Sequence, residues 1–301
     1  MLAEYVDACL DAAQRSVRLA DVGGGSAPPM FIVLGFERID VDGWEVALDV
    51  DDATAYAAFA ADRRWCGYAI ADLDAPFREH SRVAVARLGE EVAACLVLRH
   101  PAFTSVVPHG PAEGLAAILA RAELPTTTHL FARDEHLGVL RRWFVYPAPT
   151  PMLRMGVDRT AFTPAVGRAE RLGSEDLPAL AELYAAYDGS AFQPDQLATG
   201  VFYGIRHGGA LLAAAGTHVV SARYGIAAIG NVFTRPEARG RGLARAVTSA
   251  VVQELLAGPC REVILNVAQA NAPAIAVYDR LGFRIHCPHY EGMAARQARA
   301  A

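Results

Sequence analysis

The stretch "NVFTRPEARGRGLARAV", residues 231–247, narrows the possible folds more than any other part of the chain. It opens as a β-branched and aromatic run, turns at Gly240 and Gly242, and continues with apolar residues at helical spacing. A strand that enters a helix through a glycine-containing loop is a recurrent way of holding a phosphate. Four arginines, Arg235, Arg239, Arg241 and Arg245, surround the helix start. Backbone N–H groups there already carry partial positive charge, so cations at that end are by themselves mildly unfavourable. A bound anion resolves the conflict; a solvated basic turn is the plainer reading of the same residues.

Two familiar phosphate-binding designs fail. The P-loop needs a lysine after its second glycine, and every basic residue of this chain is an arginine. The same absence removes lysine Schiff-base chemistry. The dinucleotide fingerprint G-x-G-x-x-G is broken in "GRGLAR", where Arg245 stands at the third glycine. Glu262, at a suitable distance for a ribose contact, begins the next strand, whereas that acid belongs near a strand's end.

The remaining composition sets the class. A chain of 301 residues with 53% hydrophobic and 20% charged residues is long enough for two ordinary domains and apolar enough to be globular. Its net charge of −5 offers no global attraction to nucleic acid. No apolar run approaches the roughly 20 residues that span a bilayer, and no membrane partner is expected. The start, "MLAEYVDACLDAAQRSVRL", lacks the basic region and apolar block of a secretory signal, so a cytoplasmic protein is expected. Cys9, Cys66, Cys95, Cys260 and Cys287 form no C-x-x-C pair, and neither a disulfide framework nor a metal site is expected.

Two breaks organise the chain: "DVGGGSAPPM" at residues 21–30, after a short leading helix, and "GVDRTAFTPAVG" at residues 156–167. The second divides domains at 1–155 and 165–301. In the latter, "SEDLPALAELYAAY" reads as a helix. "VFYGIRHGG", "ALLAAAGTHVVSA" and "IAAIGNVFT" read as an antiparallel meander. "GLARAVTSAVVQELLAG" is a helix ending at Gly258, "REVILNV" a buried strand, "NAPAIAVYDRLGF" a short helix with Asn271 as N-cap, and "RIHCPHYEGM" a closing strand. The first half repeats the order in shorter form. "SRVAVARLGEEVAACLVLRH" is a hairpin, followed by strand, helix, strand, helix and the strand "TPMLRMGV"; "DDATAYAAFAADRRW" precedes it as one more helix. The fold class is α/β of the α+β type.

"RGRGLA", residues 239–244, has the form R-x-x-G-x-A and resembles the pyrophosphate loop of the GNAT acyltransferase superfamily. "NVFTRPEARGRGLA" is similar to that family's fourth strand, turn and main helix, and "ILNVAQANAPAIAVYDRLGF" to its fifth strand and following helix. The resemblance covers roughly residues 168–293; "GTHVVSARYGIAAIGNVFT" and the weak leading repeat resemble the glycine N-acyltransferase-like branch. It implies two tandem GNAT-like domains with mixed, mostly antiparallel central sheets. The first is degenerate, because "PHGPAEGL" lacks the loop motif and Leu140 stands near the counterpart of Tyr278.

The resemblance also implies roles. Acetyl-CoA or another acyl-CoA is the co-substrate, its pantetheine arm lying along Val232, Phe233 and Thr234, with an N–H of this stretch stabilising the oxyanion. Arg239, Gly240, Arg241, Gly242, Leu243 and Ala244 hold the diphosphate, and Asn266 and Asn271 contact the cofactor. Tyr278 protonates the departing thiolate, a task suited to a group whose reference pKa of about 10 lies not far above a thiol's; core packing is its plainer reading. Many members carry a glutamate base on the fourth strand, where this chain has Ala228. His218, Asn231 through a water, Tyr203 and His289 are the candidate bases, and each also reads as an ordinary structural residue. The expected activity is transfer of an acetyl or short acyl group to a primary amine of a small molecule or amino acid by direct attack. A CoA-binding sensor without transfer activity and a protein N-acetyltransferase are the alternatives. The acceptor and the choice between monomer and homodimer stay open.

Overall fold

The computed structural model describes residues 39–41, 43–185 and 192–298. The leading helix, the break at residues 21–30 and Cys9 lie outside the described residues, as do the last two residues of "SEDLPALAELYAAY". In chain order the described elements are β1 (Ile39–Val41), β2 (Trp44–Ala47), α1 (Asp52–Phe59), α2 (Gly67–Ala71), β3 (Ser81–Leu88), β4 (Glu91–His100), β5 (Phe103–His109), α3 (Ala112–Leu119) and β6 (Thr127–Ala132). They continue with α4 (Asp134–Leu140), β7 (Phe144–Val145), β8 (Thr150–Asp158), β9 (Glu170–Arg171), α5 (Leu177–Ala185), α6 (Pro194–Thr199), β10 (Phe202–His207) and β11 (Ala210–Ser221). The last are β12 (Ile226–Thr234), α7 (Leu243–Ala257), β13 (Glu262–Ala268), α8 (Ala272–Asp279) and β14 (Arg284–Arg296).

The chain forms two compact units that are not contiguous in sequence. Among the described residues, one comprises 39–41, 43–58, 80–149 and 290–298; the other comprises 59–79, 150–185 and 192–289. These boundaries differ from the division at 1–155 and 165–301, because two strands and one helical segment complete the opposite unit. β8, which the repeat places at the end of the first half, pairs antiparallel with β13 from Asp158 opposite Glu262 to Met152 opposite Ala268. The end of β14 pairs with β6, from Tyr290 opposite Ala132 to Ala295 opposite Thr127. The reason lies in side-chain alternation. Leu153, Met155 and Val157 of β8 enter the same core as Val263, Leu265 and Val267, while Ala294 of β14 is buried with Leu130 and Phe144.

In the first unit the sheet runs β1-β2-β3-β4-β5-β6-β14. Its core packs Leu115, Ile118 and Leu119 of α3 and Val139 and Leu140 of α4 against Trp44, Val97, Val106 and Leu130. The β3–β4 hairpin turns through Gly89 at φ +57°, the left-handed conformation that a two-residue hairpin loop requires.

In the second unit the sheet runs β8-β13-β12-β11-β10-β9, the meander β10-β11-β12 lying as the alternating pattern predicts. Gly208 and Gly209, both at positive φ, close the β10–β11 hairpin. Two cores sit on opposite faces. On one, Val247, Val251 and Leu255 of α7 meet Ala227, Ile229, Val263 and Leu265. Fully burying each such side chain contributes about 1.5–3 kcal/mol, which is what holds a 15-residue helix in place. On the other, Leu180 and Leu183 of α5 and Leu197 of α6 meet Phe202, Leu211 and Phe233.

Candidate active site

β12 and β13 run parallel and pair at four positions, the last being Ile229 opposite Leu265. Beyond it β12 continues to Thr234, held on its far edge by β11, and β13 to Ala268, held by β8. The strands part, and their facing edges present backbone N–H and C=O groups with no strand partner among the described residues. The register on β11 slips between Gly230 and Phe233, and Asn231 adopts φ +52°. This bulge reverses the alternation. Ile229 faces α7, whereas Phe233, an even count of residues later, faces α5 and α6. Phe233 therefore has its ring in the core, and its backbone is the part that lies along the wedge. Val232 packs at the margin of the α7 core.

At the mouth of the wedge, Gly240 and Gly242 lie at φ +74° and +76°. A Cβ at either would meet nothing within 4 Å, so backbone conformation, rather than space, selects glycine there. Gly242 is the N-cap of α7 and supplies no side-chain acceptor, so the first N–H groups of the helix, from Leu243 and Ala244 onward, are uncapped; Ala246 N–H is bonded back to Gly242 O at 3.1 Å. The four arginines divide. Arg235 is spent on structure, donating to Leu211 O and forming an ion pair with Glu182 at 2.6 Å. Arg239 donates to Thr234 O at 3.3 Å. Arg241 and Arg245 are exposed and bonded to no acid among the described residues. The helix start thus keeps cationic charge and open donors on the same side of the strand ends.

α8 begins as expected at Asn271, whose Oδ1 accepts from Ala274 N at 3.2 Å. That bond commits its side-chain oxygen to the cap. Tyr278, near the end of α8, is buried, with its ring centroid 5.9 Å from that of Phe283.

On the opposite face of the sheet from α7, a hydrogen-bonded chain joins two of the candidate bases. Gln196 of α6 fixes its own orientation, because its Oε1 accepts from the Gln193 backbone N–H at 3.1 Å. Asn231 must then present Nδ2 to the same Oε1, at 2.9 Å, which leaves Asn231 Oδ1 a buried acceptor with no hydrogen-bond partner among the described residues. The Gln196 Nε2 faces His218 Nδ1 at 3.4 Å, which makes Nδ1 the acceptor and puts the proton of neutral His218 on Nε2. A side chain at Gly230 would collide with that imidazole, so the missing Cβ makes its room. Tyr184 of α5 donates to Asn231 O and pins the bulge, and burial pushes its phenol pKa up.

The other two candidate bases do not join this chain. Tyr203 follows Val201 and precedes Ile205 on the α7 face, where it bonds Glu254 and packs under Arg171. Burial, reinforced by Glu254, raises its pKa, which suits a structural donor. Tyr203 and His218 thus lie on opposite faces of the sheet. His289 is fully buried, its ring 5.5 Å from that of Trp65. Ala228 is fully buried opposite Ile264, and no carboxylate replaces it on β12.

Several residues of this face carried no functional reading from the sequence. The segment Phe59–Glu79 is bound to the second unit by Arg64, which pairs with Glu262 at 2.6 Å and Asp158 at 3.4 Å, and by Asp74, which accepts from Ser221 Oγ at 2.7 Å. It brings Trp65 and Tyr68 over Arg154 of β8, whose guanidinium carbon lies 5.5 and 4.9 Å from the two ring centroids. Arg154 stands opposite Asn266 in the β8–β13 register, just past the point where β12 and β13 part. The signal was present as a lone charge inside the apolar run "PMLRMGV". Asp72, one turn after Tyr68, is buried, and desolvation pushes its carboxyl up to about 8.

The corresponding place in the first unit is built differently. α3 begins at Pro111, which has no N–H, and carries Glu113 in its first turn. His136 closes the preceding turn, its Nδ1 accepting from Arg133 N and its Nε2 donating to Gly110 O at 3.2 Å. Burial lowers the His136 pKa to about 4, so it stays neutral in that role. No arginine stands at this helix start. Among the described residues no group of three or more His, Cys, Asp or Glu is placed to hold a metal, and no helix is long and apolar enough to cross a membrane.

Residues 170–283 match the model of the acetyltransferase (GNAT) family. The chain is 33% identical over 190 residues to a mycothiol acetyltransferase of Nocardioides sp., an alignment covering 56% of this chain and 61% of that protein. It therefore spans about three fifths of the length of that relative. Among solved structures, the fold is similar to a GCN5-related N-acetyltransferase from Sphaerobacter thermophilus, with TM-score 0.53 and 16% identity over 86% of this chain and 97% of that one. A tandem GNAT protein from the clavulanic acid biosynthesis pathway matches with TM-score 0.52 and 16% identity, over 86% of this chain and all of that chain.

Proposed function

We propose that this chain, whose residues 170–283 belong to the acetyltransferase (GNAT) family, transfers an acetyl or other short acyl group from acyl-CoA to a primary amine. The observation that carries this reading is the parting of β12 and β13 after Ile229 and Leu265, together with a start of α7 that has no side-chain cap, follows Arg241 and bears Arg245. The diphosphate of CoA meets the N–H groups of residues 241–244 and the arginines, and its arm lies along Val232, Phe233 and Thr234 in the manner of an added strand. Asn266 lines the β13 side. Asn271 serves through its backbone, its side chain being the helix cap.

The amine attacks the thioester carbon from the face that carries Asn231. A backbone N–H of β12 stabilises the oxyanion, and as the tetrahedral intermediate collapses the C–S bond breaks and Tyr278 gives its proton to the thiolate. Asn231 cannot accept a proton. Its Oδ1 holds the amine N–H or the water that carries the amine proton to solvent, and Tyr278 recovers one in turn. His218, engaged at Nδ1 by Gln196, positions that amide and through it Asn231.

The test is thiol release from acetyl-CoA across a panel of amino acids, polyamines, aminoglycosides and peptides, with wild type and Tyr278→Phe compared. Thiol release above the hydrolytic background that depends on the amine and on Tyr278 supports the reading. Saturable CoA binding without amine-dependent release would favour a CoA-binding sensor, the second reading, which the buried Ala228 in place of a carboxylate supports.

A further inference from the structure

Arg154 is fully buried, and none of its three guanidinium nitrogens has a hydrogen-bond partner among the described residues. Burying a charge with no compensating partner is among the most costly arrangements a fold can contain. The acids nearest along the same strand pair are committed elsewhere. Asp158, four residues on and on the same face, and Glu262 opposite it are both bound by Arg64. Tyr68 and Trp65 cover the guanidinium with their rings and supply no acceptor to its donors by those contacts. Its planar donor fork is thus held by aromatic contact and left unsatisfied.

We infer that Arg154 is the recognition site for a carboxylate on one of the two reacting partners. A guanidinium presents paired donors in a plane, the match for a carboxylate, and one buried positive charge is neutralised by one monoanion. The position suits the reaction. Arg154 stands opposite Asn266, the first β13 residue beyond the last pair with β12, so its donors lie beside the wedge where the reacting atoms meet. Tyr68, on the short α2, is only partly buried, so the ring that covers Arg154 itself reaches the surface. Both the amine and the acyl group reach this place. The carboxylate therefore belongs either to an amino-acid-like acceptor or to the far end of a dicarboxylic acyl group. This inference rests on the acyltransferase reading for its setting, and on Arg154 alone for its chemistry.

Two matched pairs test it by calorimetry on the full chain. N-acetyl-L-alanine against its amide, with and without CoA, reports an acceptor-side carboxylate; succinyl-CoA against butyryl-CoA reports an acyl-side one. At least one charged member should bind about 10–100-fold more tightly than its neutral counterpart, the size expected for a charge-assisted bidentate pair. Arg154→Met should erase that ratio, and Arg154→Lys should retain part of it. The arm that shows the ratio identifies the source. Arg154→Met removes no side-chain hydrogen bond among the described residues and should unfold at the same or a higher temperature than wild type. The inference is overturned if neither pair is discriminated, if discrimination survives in Arg154→Met, or if Arg154→Met loses its fold. Butyryl-CoA binding in wild type keeps the two readings apart: its absence counts against the acyltransferase assignment, whereas its presence without carboxylate discrimination counts only against Arg154.

Discussion

Asn231 and Gln196 are joined through their side-chain amides, Asn231 Nδ2 donating to Gln196 Oε1 at 2.9 Å. Because a backbone N–H fixes the Gln196 oxygen, the bond decides which end of the Asn231 amide is left to meet a ligand. Gln196→Met keeps the length and removes both functions. Turnover should fall about tenfold, corresponding to about 1.4 kcal/mol of positioning, while the acyl-CoA dissociation constant stays within twofold. Steady-state kinetics beside calorimetry reads the two effects separately, and equal losses in both would show that Gln196 supports the cofactor site instead.

Tyr278→Phe preserves the ring that packs near Phe283 and removes only the proton donor. Turnover should drop by roughly 10²–10⁴, the usual contribution of a general acid, with acyl-CoA affinity little changed. Unchanged turnover in a folded variant, measured where chemistry limits the rate, would leave Tyr278 as core packing.

At Gly242 the predicted penalty is conformational. The site has open space around a built Cβ but a φ of +76°, so Gly242→Val forces a β-branched residue into the left-handed region. CoA affinity should fall at least about tenfold, and Gly242→Asn, a residue that tolerates that region, should lose much less. Equal losses for the two variants would point to side-chain bulk near the phosphates in place of backbone strain.

Asp72 gives a pH signature. Its carboxyl titrates near 4 in the unfolded chain and is pushed up to about 8 by burial in the fold. Between those values the folded protein holds one more proton than the unfolded one. The contribution is complete below pH 4 and is lost as pH rises through 8, at a limiting slope of about 1.4 kcal/mol per pH unit. Asp72→Asn should flatten that decline, as read by denaturant unfolding at pH 5, 6.5 and 8. A decline as steep in the variant as in wild type would assign it to other groups.

Local chemistry made much of the second unit readable. The meander, the glycine loop, Asn271 as a cap and α7 each follow from residues close together in sequence. Strand partners did not follow. "TPMLRMGV" and "RIHCPHYEGM" carry an alternation that fits either sheet, and only tertiary pairing decides that β8 completes one unit and the end of β14 the other. The same limit hid Gln196 and Tyr68, polar or aromatic residues of short helices whose neighbours come from distant segments. Arg154 is visible as an isolated charge in an apolar strand, but its lack of a hydrogen-bond partner among the described residues is a property of the folded neighbourhood.

The exchanged strands set an order of events for a chain made from its N-terminus. β6 is synthesised early, yet the strand at its edge, Tyr290–Ala295, emerges about 160 positions later, so this pairing is highly non-local and expected to be slow. The first unit must wait, with the edge of β6 open, until residues 290–295 have left the ribosome. Likewise a gene split near residue 160 would leave β8 and the end of β14 on the wrong fragments. The two halves are expected to regain native structure by association when produced together, and not as separately expressed domains.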